Sequence, residues 1–281
     1  MTAVEKLMTK DPIHITVPNT RKEALMLFVT SHKTGMPVVN KDNEVVGIIT
    51  RKMIFQKPKE VQLALLMEWD PPTISPTADV QKAAKIMTEK GVYHLPVVKN
   101  KCLVGIITPT DLLKAVLEKG IKTPVESYIS RPCVPIYDET SLAAAASIIK
   151  ITKNYALPVL DHAGDLSGLV TDRDIYNLSY VNEKLVLVEL GISGDEDEWT
   201  WEGLRNIMPL YFEEAKIELP PISVREIMIR NPETVYLKTD VKTAAGVMLK
   251  NDYGQLPVRD EDDRLVSLIY DIDLIRSLIE A

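Results

Sequence analysis

Leu95-Pro96-Val97-Val98-Lys99-Asn100-Lys101-Cys102-Leu103-Val104-Gly105-Ile106-Ile107-Thr108-Pro109-Thr110-Asp111 is the stretch whose reading decides the fold. It opens on an apolar-Pro-Val run, turns through polar residues, returns as a glycine-led apolar run and ends on Thr-x-x-Asp. That order reads as strand, turn, strand and the start of a helix. The same phrase recurs: Met36-Pro37-Val38 leads to Gly47-Ile48-Ile49-Thr50, Leu157-Pro158-Val159 to Gly168-Leu169-Val170-Thr171, and Leu256-Pro257-Val258 to a degraded Ser267-Leu268-Ile269-Tyr270. Each copy is preceded by an x-Pro step, at Pro12, Pro71, Pro132 and Pro232, and the two prolines of a copy stand 25, 25, 26 and 25 residues apart. A spacing this regular marks an internal repeat.

Between the two prolines the periodicity is helical. Val80, Ala83, Ala84 and Met87 fall on one face, with Gly91 placed to stop the helix. Leu142, Ala145, Ala146 and Ile149 repeat the face, as do Val241, Ala244, Ala245 and Met248; in the first copy Thr20-Arg21-Lys22-Glu23 is a capping box. The unit is therefore β-α-β-β-α, roughly 55–60 residues long, and a unit so small is expected to pair with a neighbour to bury its sheet. The fold class is α/β (α+β), divided as repeats over 1–58, 61–120, 123–180 and 223–281, with an insert over 181–222.

The insert is chemically distinct. Val181 to Ile222 holds ten acidic and three basic residues, so the chain's net charge of −7 resides there and the repeats sum to zero. It also carries Trp199, Trp201, Tyr211 and Phe212 beside Asp195-Glu196-Asp197-Glu198, a content of aromatics that argues against a plain disordered linker. These aromatics are suited either to anchoring a protein partner or to folding back over the repeats.

The overall balance is acidic and excludes a general nucleic-acid binder, for which Lys and Arg must neutralise phosphates. No segment approaches the ~18 apolar residues of a membrane helix, and the N-terminus lacks an apolar leader, so a soluble, cytoplasmic protein is expected. Cys102 and Cys133 lie in no metal or redox spacing and read as buried small apolar residues. No Gly-x-Ser-x-Gly, His-Glu-x-x-His or Walker-type lysine loop occurs, and His14, His32, His94 and His162 occupy unlike repeat positions, so no enzyme is expected.

The x-Pro opening, the Leu-Pro-Val strand and Gly-Ile-Ile-Thr-x-x-Asp resemble the cystathionine β-synthase (CBS) domain family, over nearly all of the chain except the insert. The four-copy arrangement is similar to that of the gamma subunits of AMP-activated protein kinase and of stand-alone prokaryotic four-repeat proteins. The resemblance implies that consecutive repeats pair as two Bateman modules, that the modules assemble into a disc, and that clefts between paired repeats bind adenosyl ligands: AMP, ADP, ATP or an S-adenosylmethionine-like compound. It implies a non-catalytic sensor acting on a protein partner still to be identified, and leaves room for a homodimer.

The chemistry such a ligand needs is present. Thr at the end of the glycine strand stands at a helix N-terminus, where free amides and the dipole favour phosphate, and an Asp three residues on can accept both hydroxyls of a ribose. Thr108, Thr110 and Asp111 provide this in the second repeat, and Thr171, Asp172, Arg173 and Asp174 in the third; the fourth keeps Asp273 but has Tyr270 for Thr, and the first, Thr50-Arg51-Lys52-Met53, has lost the carboxylate. Thr-x-x-Asp is equally a helix cap that needs no ligand. By the resemblance, Asp111 works with Pro12, Ile13, Met36 and Pro37, Asp174 with Pro232, Glu233, Leu256 and Pro257, and Asp273 with Pro132, Cys133, Tyr155, Leu157 and Pro158. The remaining cleft joins Tyr93-His94-Leu95-Pro96 to Met53 and is expected to be empty. The competing reading is a docking protein with vestigial clefts, working through the insert.

Overall fold

The computed structural model describes residues 2–31, 33–57, 60–175, 178 and 219–280. Trp199, Trp201, Tyr211, Phe212 and the acidic run at 195–198 lie outside the described residues. In chain order the strands are β1 (Thr9–Lys10), β2 (Ile15–Thr16), β3 (Gly35–Val39), β4 (Val45–Thr50), β5 (Glu68–Trp69), β6 (Leu95–Lys99), β7 (Cys102–Ile107), β8 (Ile136–Tyr137), β9 (Ala156–Leu160), β10 (Leu166–Thr171), β11 (Ile229–Arg230), β12 (Val235–Tyr236), β13 (Gln255–Arg259) and β14 (Leu265–Tyr270).

Each repeat builds one small sheet. A short first strand runs parallel to the Leu-Pro-Val strand, as β2 to β3, and the glycine strand returns antiparallel to it, with Met36 opposite Ile49 and Pro37 opposite Ile48. The proline costs no ladder bond. In the second repeat Ile74 N donates to Pro96 O at 3.0 Å and Val98 N donates to Ile74 O at 2.9 Å, so the ladder begins just beyond the point where Pro96 would have needed an N–H.

Edge strands are exchanged within pairs. β1 opens the first repeat but lies on β7 of the second, while β5 opens the second and lies on β4 of the first. In the same way β11, at the start of the fourth repeat, joins β10 of the third. The exchange fixes the pairing as first with second and third with fourth, and it explains the strand glycines. A Cβ on Gly105 would stand 2.6 Å from Met8 Sδ, on Gly47 2.7 Å from Met67 Sδ and on Gly168 2.4 Å from Met228 Sδ, the methionine in each case just preceding the exchanged strand. Ahead of the third repeat's opening proline Tyr128 occupies the methionine's place in sequence, and in the fourth repeat Ser267 replaces glycine, donating to Arg131 O at 3.3 Å.

Helices Val80–Lys90, Leu142–Thr152 and Val241–Asn251 bury the expected faces, except that Ala146 is only part-buried. Asp79, Ser141 and Asp240 cap their first turns, and Gly91 ends the first of them at φ +64°. Helices Pro109–Lys119 and Val241–Asn251 pack together, so the second and fourth repeats share one core, whereas the first and third have cores of their own. Cys102 and Cys133 depart from the sequence reading: both are half-buried, their thiols pointed at the carbonyls of Asp42 and Val266 on facing hairpins. Among the described residues no helix is long and apolar enough to cross a membrane, and no cluster of three or more metal-ligating side chains occurs.

Candidate functional site

The three carboxylates that stand three residues after the glycine strand occupy two kinds of setting. At Asp111, Oδ2 accepts from Thr108 N at 3.0 Å and Thr108 Oγ1 at 2.9 Å, while Oδ1 faces Lys114 Nζ at 3.3 Å. Asp174 closes the same box on Thr171, from N at 2.8 Å and Oγ1 at 2.7 Å. One oxygen of each thus finishes the helix. The other faces away from the cap, and on Asp174 it meets no donor among the described residues. Arg173 beside it is exposed.

Asp273 is different. It is 2% exposed, its Oδ2 accepts from Tyr270 N at 3.2 Å, and its Oδ1 holds the Ser130 hydroxyl at 2.5 Å. Burial raises its pKa, while the Ser130 bond, the Tyr270 amide, Arg131 and Arg276 pull the other way. Asp273 lies on a cavity of about 450 Å³ whose walls include Tyr93, Ser130, Arg131, Lys153, Tyr155 and Arg276. The third repeat gives Tyr155 and Lys153, its entry segment Ser130 and Arg131, the fourth Asp273 and Arg276, and the second Tyr93. The Tyr93 and Tyr155 rings meet edge to face with centres 5.1 Å apart, and the Arg131 guanidinium lies 5.1 Å over the ring of Tyr270. The Tyr93 hydroxyl is buried with no hydrogen-bond partner among the described residues.

Two further acids outside the cavity lining are enclosed. Asp271 is 6% exposed at the meeting of the second and fourth repeats, accepting from Ile272 N at 2.7 Å and facing Thr110 Oγ1 at 3.5 Å. Burial lifts its pKa to about 7. Enclosure also lifts Asp172 to about 6, against the attraction of Lys52 from the first repeat.

His94 packs rather than reaching a cleft. A Cβ on Gly35 would fall 2.7 Å from its ring, and Nε2 is 3.1 Å from Thr34 Oγ1. Although part of the ring stays open to solvent, enclosure lowers its pKa to about 4, leaving it neutral at pH 7. Tyr93, next to it, turns to Tyr155 and not to Met53, which packs against the core of the first repeat.

The remaining sequence-predicted residues are distributed as follows. Met36, Leu157 and Leu256 are buried within their sheet cores, and Pro37, Pro158 and Pro257 beside them are buried too. Pro12 and Pro232 are buried, while Ile13, Glu233 and Pro132 are exposed and Cys133 is intermediate. Sequence reasoning missed Ser130, Arg131, Lys153 and Arg276. Arg131 had a legible signal: the other three repeats place Asp11, Asp70 and Asn231 before the proline, at φ 45°, 48° and 47°, a left-handed turn that short polar side chains tolerate. Arg131 breaks that pattern and faces the cavity. Tyr93 and Tyr155 also share one repeat position, two residues before Leu-Pro.

Four repeats of one β-α-β-β-α unit are paired by exchanged edge strands, and the CBS domain family profile matches residues 4–60, 61–118, 125–180 and 224–280. The chain belongs to the CBS domain family. Over 97% of its length it is 26% identical to protein MJ1225 of Methanocaldococcus jannaschii, covering 98% of that protein. The crystal structure of MJ1225, put forward as an archaeal homolog of g-AMPK, superposes with a TM-score of 0.75 at 24% identity, over 99% of this chain and 100% of that one, a likeness of fold. A conserved protein from Pyrococcus horikoshii matches at TM-score 0.67 and 28% identity over 99% and 100% of the two chains. Homoserine O-acetyltransferase of Methanococcoides burtonii is 38% identical over 38% of this chain, which spans only 22% of that enzyme.

Proposed function

We propose that this chain is a regulatory sensor with no reaction of its own, which binds an adenine nucleotide between paired repeats and presents the outcome to a protein partner. The observation that carries the reading is the cavity at Asp273. Its volume of about 450 Å³ falls within the ~300–1,000 Å³ usual for small-molecule sites. Its lining supplies the three things a nucleotide needs: Tyr93 and Tyr155 for the base, Asp273 for the ribose diol, and Arg131, Lys153 and Arg276 for phosphate. In this reading the diol displaces the Ser130 hydroxyl from Asp273, exchanging one acceptor's partner for another without stranding a buried charge.

The cavity's cations favour the anionic nucleotides over a sulfonium, because Arg131, Lys153 and Arg276 face Asp273 and Glu89. Asp111 and Asp174 offer secondary sites through the carboxylate oxygen not used in the cap. At Asp111 a ligand has first to displace Lys114. Sensing then follows from differential affinity: a ligand that touches three repeats favours the arrangement that closes on it, and a partner preferring that arrangement reads its presence.

Calorimetric titration with AMP, ADP, ATP and S-adenosylmethionine tests the reading. Binding of at least one nucleotide is expected, weakened about 10- to 100-fold by Asp273→Asn, the loss of a hydrogen bond to a charged group. Absence of heat with every nucleotide, or unchanged affinity in the variant, would overturn it.

A further inference from the structure

The first repeat has lost its ribose carboxylate, yet it places a cation beside the cavity lined by the other three repeats. Lys52 Nζ lies 4.5 Å over the ring of Tyr155, a cavity wall. Burial is the largest influence on its ammonium and disfavours the charge, and the third repeat acts on it in both directions, Asp172 favouring the charge and Lys153 opposing it. Lys153 is itself a cavity residue. Tyr155 is thus touched by the first repeat through Lys52, by the second through Tyr93 and by whatever fills the cavity.

We propose that Lys52 is the residue through which the first repeat registers an anionic ligand in the cavity lined by the second, third and fourth. The inference rests on the nucleotide reading of that cavity. Its mechanism is electrostatic. With the cavity free of anions, Lys153 pushes Lys52 away from the Tyr155 ring; a phosphate held by Lys153 and Arg131 neutralises that push, and Lys52 settles more firmly between Tyr155 and Asp172. Because Lys52 lies in the helix Arg51–Gln56, the firmer contact steadies that helix, transferring occupation of the cavity into order in the one repeat that does not line it. An uncharged nucleoside in the same cavity leaves the repulsion in place.

Hydrogen exchange of the 51–56 segment, measured with and without saturating AMP or adenosine, tests this on the full chain. Wild-type exchange is expected to slow about 2- to 5-fold with AMP, the equivalent of one half-exposed cation–π contact, and to stay unchanged with adenosine. Lys52→Met should abolish the slowing while AMP affinity, read by calorimetry, stays within about 5-fold of wild type; Lys52→Arg should restore it. Slowing that persists in Lys52→Met, that appears equally with adenosine, or that is absent from wild type although AMP binds would overturn the role of Lys52 alone. A wild-type chain that binds no nucleotide would overturn both this inference and the reading beneath it.

Discussion

Replacing Asp271 with Asn is expected to stabilise the protein more and more as pH rises. The carboxyl is 6% exposed, and burial, reinforced by the negative charge of Asp273 and offset in part by the Ile272 amide and the Thr110 hydroxyl, raises its pKa from 3.8 to about 7. Between those values the folded protein holds a proton that the unfolded chain has released. The stability contributed by the protonated acid is therefore complete below about pH 4 and is lost as pH rises through about 7. Roughly three pKa units at ~1.36 kcal/mol each give a ceiling of ~4 kcal/mol, and local relaxation and water entry bring the expected figure to about 1–3 kcal/mol. Asn offers the same acceptor to Ile272 N and cannot ionise. Urea denaturation of both proteins at pH 4.5, 6, 7 and 8 should give a stability difference that is smallest at pH 4.5, about a quarter of its full size, and grows to ~1–3 kcal/mol at pH 8. A difference that does not change with pH, or a variant less stable than wild type at pH 8, would refute the reasoning.

Gly105→Ala should cost about 1–3 kcal/mol in a urea melt, since the new Cβ meets Met8 Sδ at 2.6 Å and the Thr9 carbonyl at 3.0 Å and forces the exchanged strand outward. Asp79→Ala removes the cap that accepts from Gln81 N at 3.2 Å and should cost about 1 kcal/mol by the same measurement. In a thermal-shift assay with whichever nucleotide binds, Asp111→Ala and Asp174→Ala should each reduce the ligand-induced rise of Tm, which reaches ~2.7 kcal/mol of stabilisation at 100 times Kd. Met53→Ala, in the repeat without a ribose carboxylate, should leave that rise intact.

Much of the architecture is legible in the sequence because its determinants are local and repeated. The Leu-Pro-Val and Gly-Ile-Ile-Thr runs define strands by their period, and Gly91, Asp79 and Thr20 mark helix ends by their own backbone chemistry. The exchange of β1, β5 and β11 is less visible, though it leaves a trace in the methionine that precedes each exchanged strand and the glycine that makes room for it. The site is legible only in part. Asp273 announces itself by its place in a repeated motif, but that Ser130 occupies its free oxygen depends on a contact between residues far apart in sequence. Lys52 carries no motif at all, and its position over Tyr155 follows from how two pairs pack, which no local pattern encodes. The half-burial of Cys102 and Cys133 has the same origin, since Cys102 lies where the hairpins of the first two repeats meet and Cys133 where the third repeat's entry segment meets the fourth's hairpin.

The nucleotide cavity is tested most directly by an electron-density map from crystals of the full chain grown with AMP. A ribose diol is expected on Asp273, with Ser130 displaced, the base beside Tyr93 and Tyr155, and phosphate against Arg131 and Lys153. Density for Ser130 still bonded to Asp273, in a cavity holding solvent alone at saturating AMP, would contradict it.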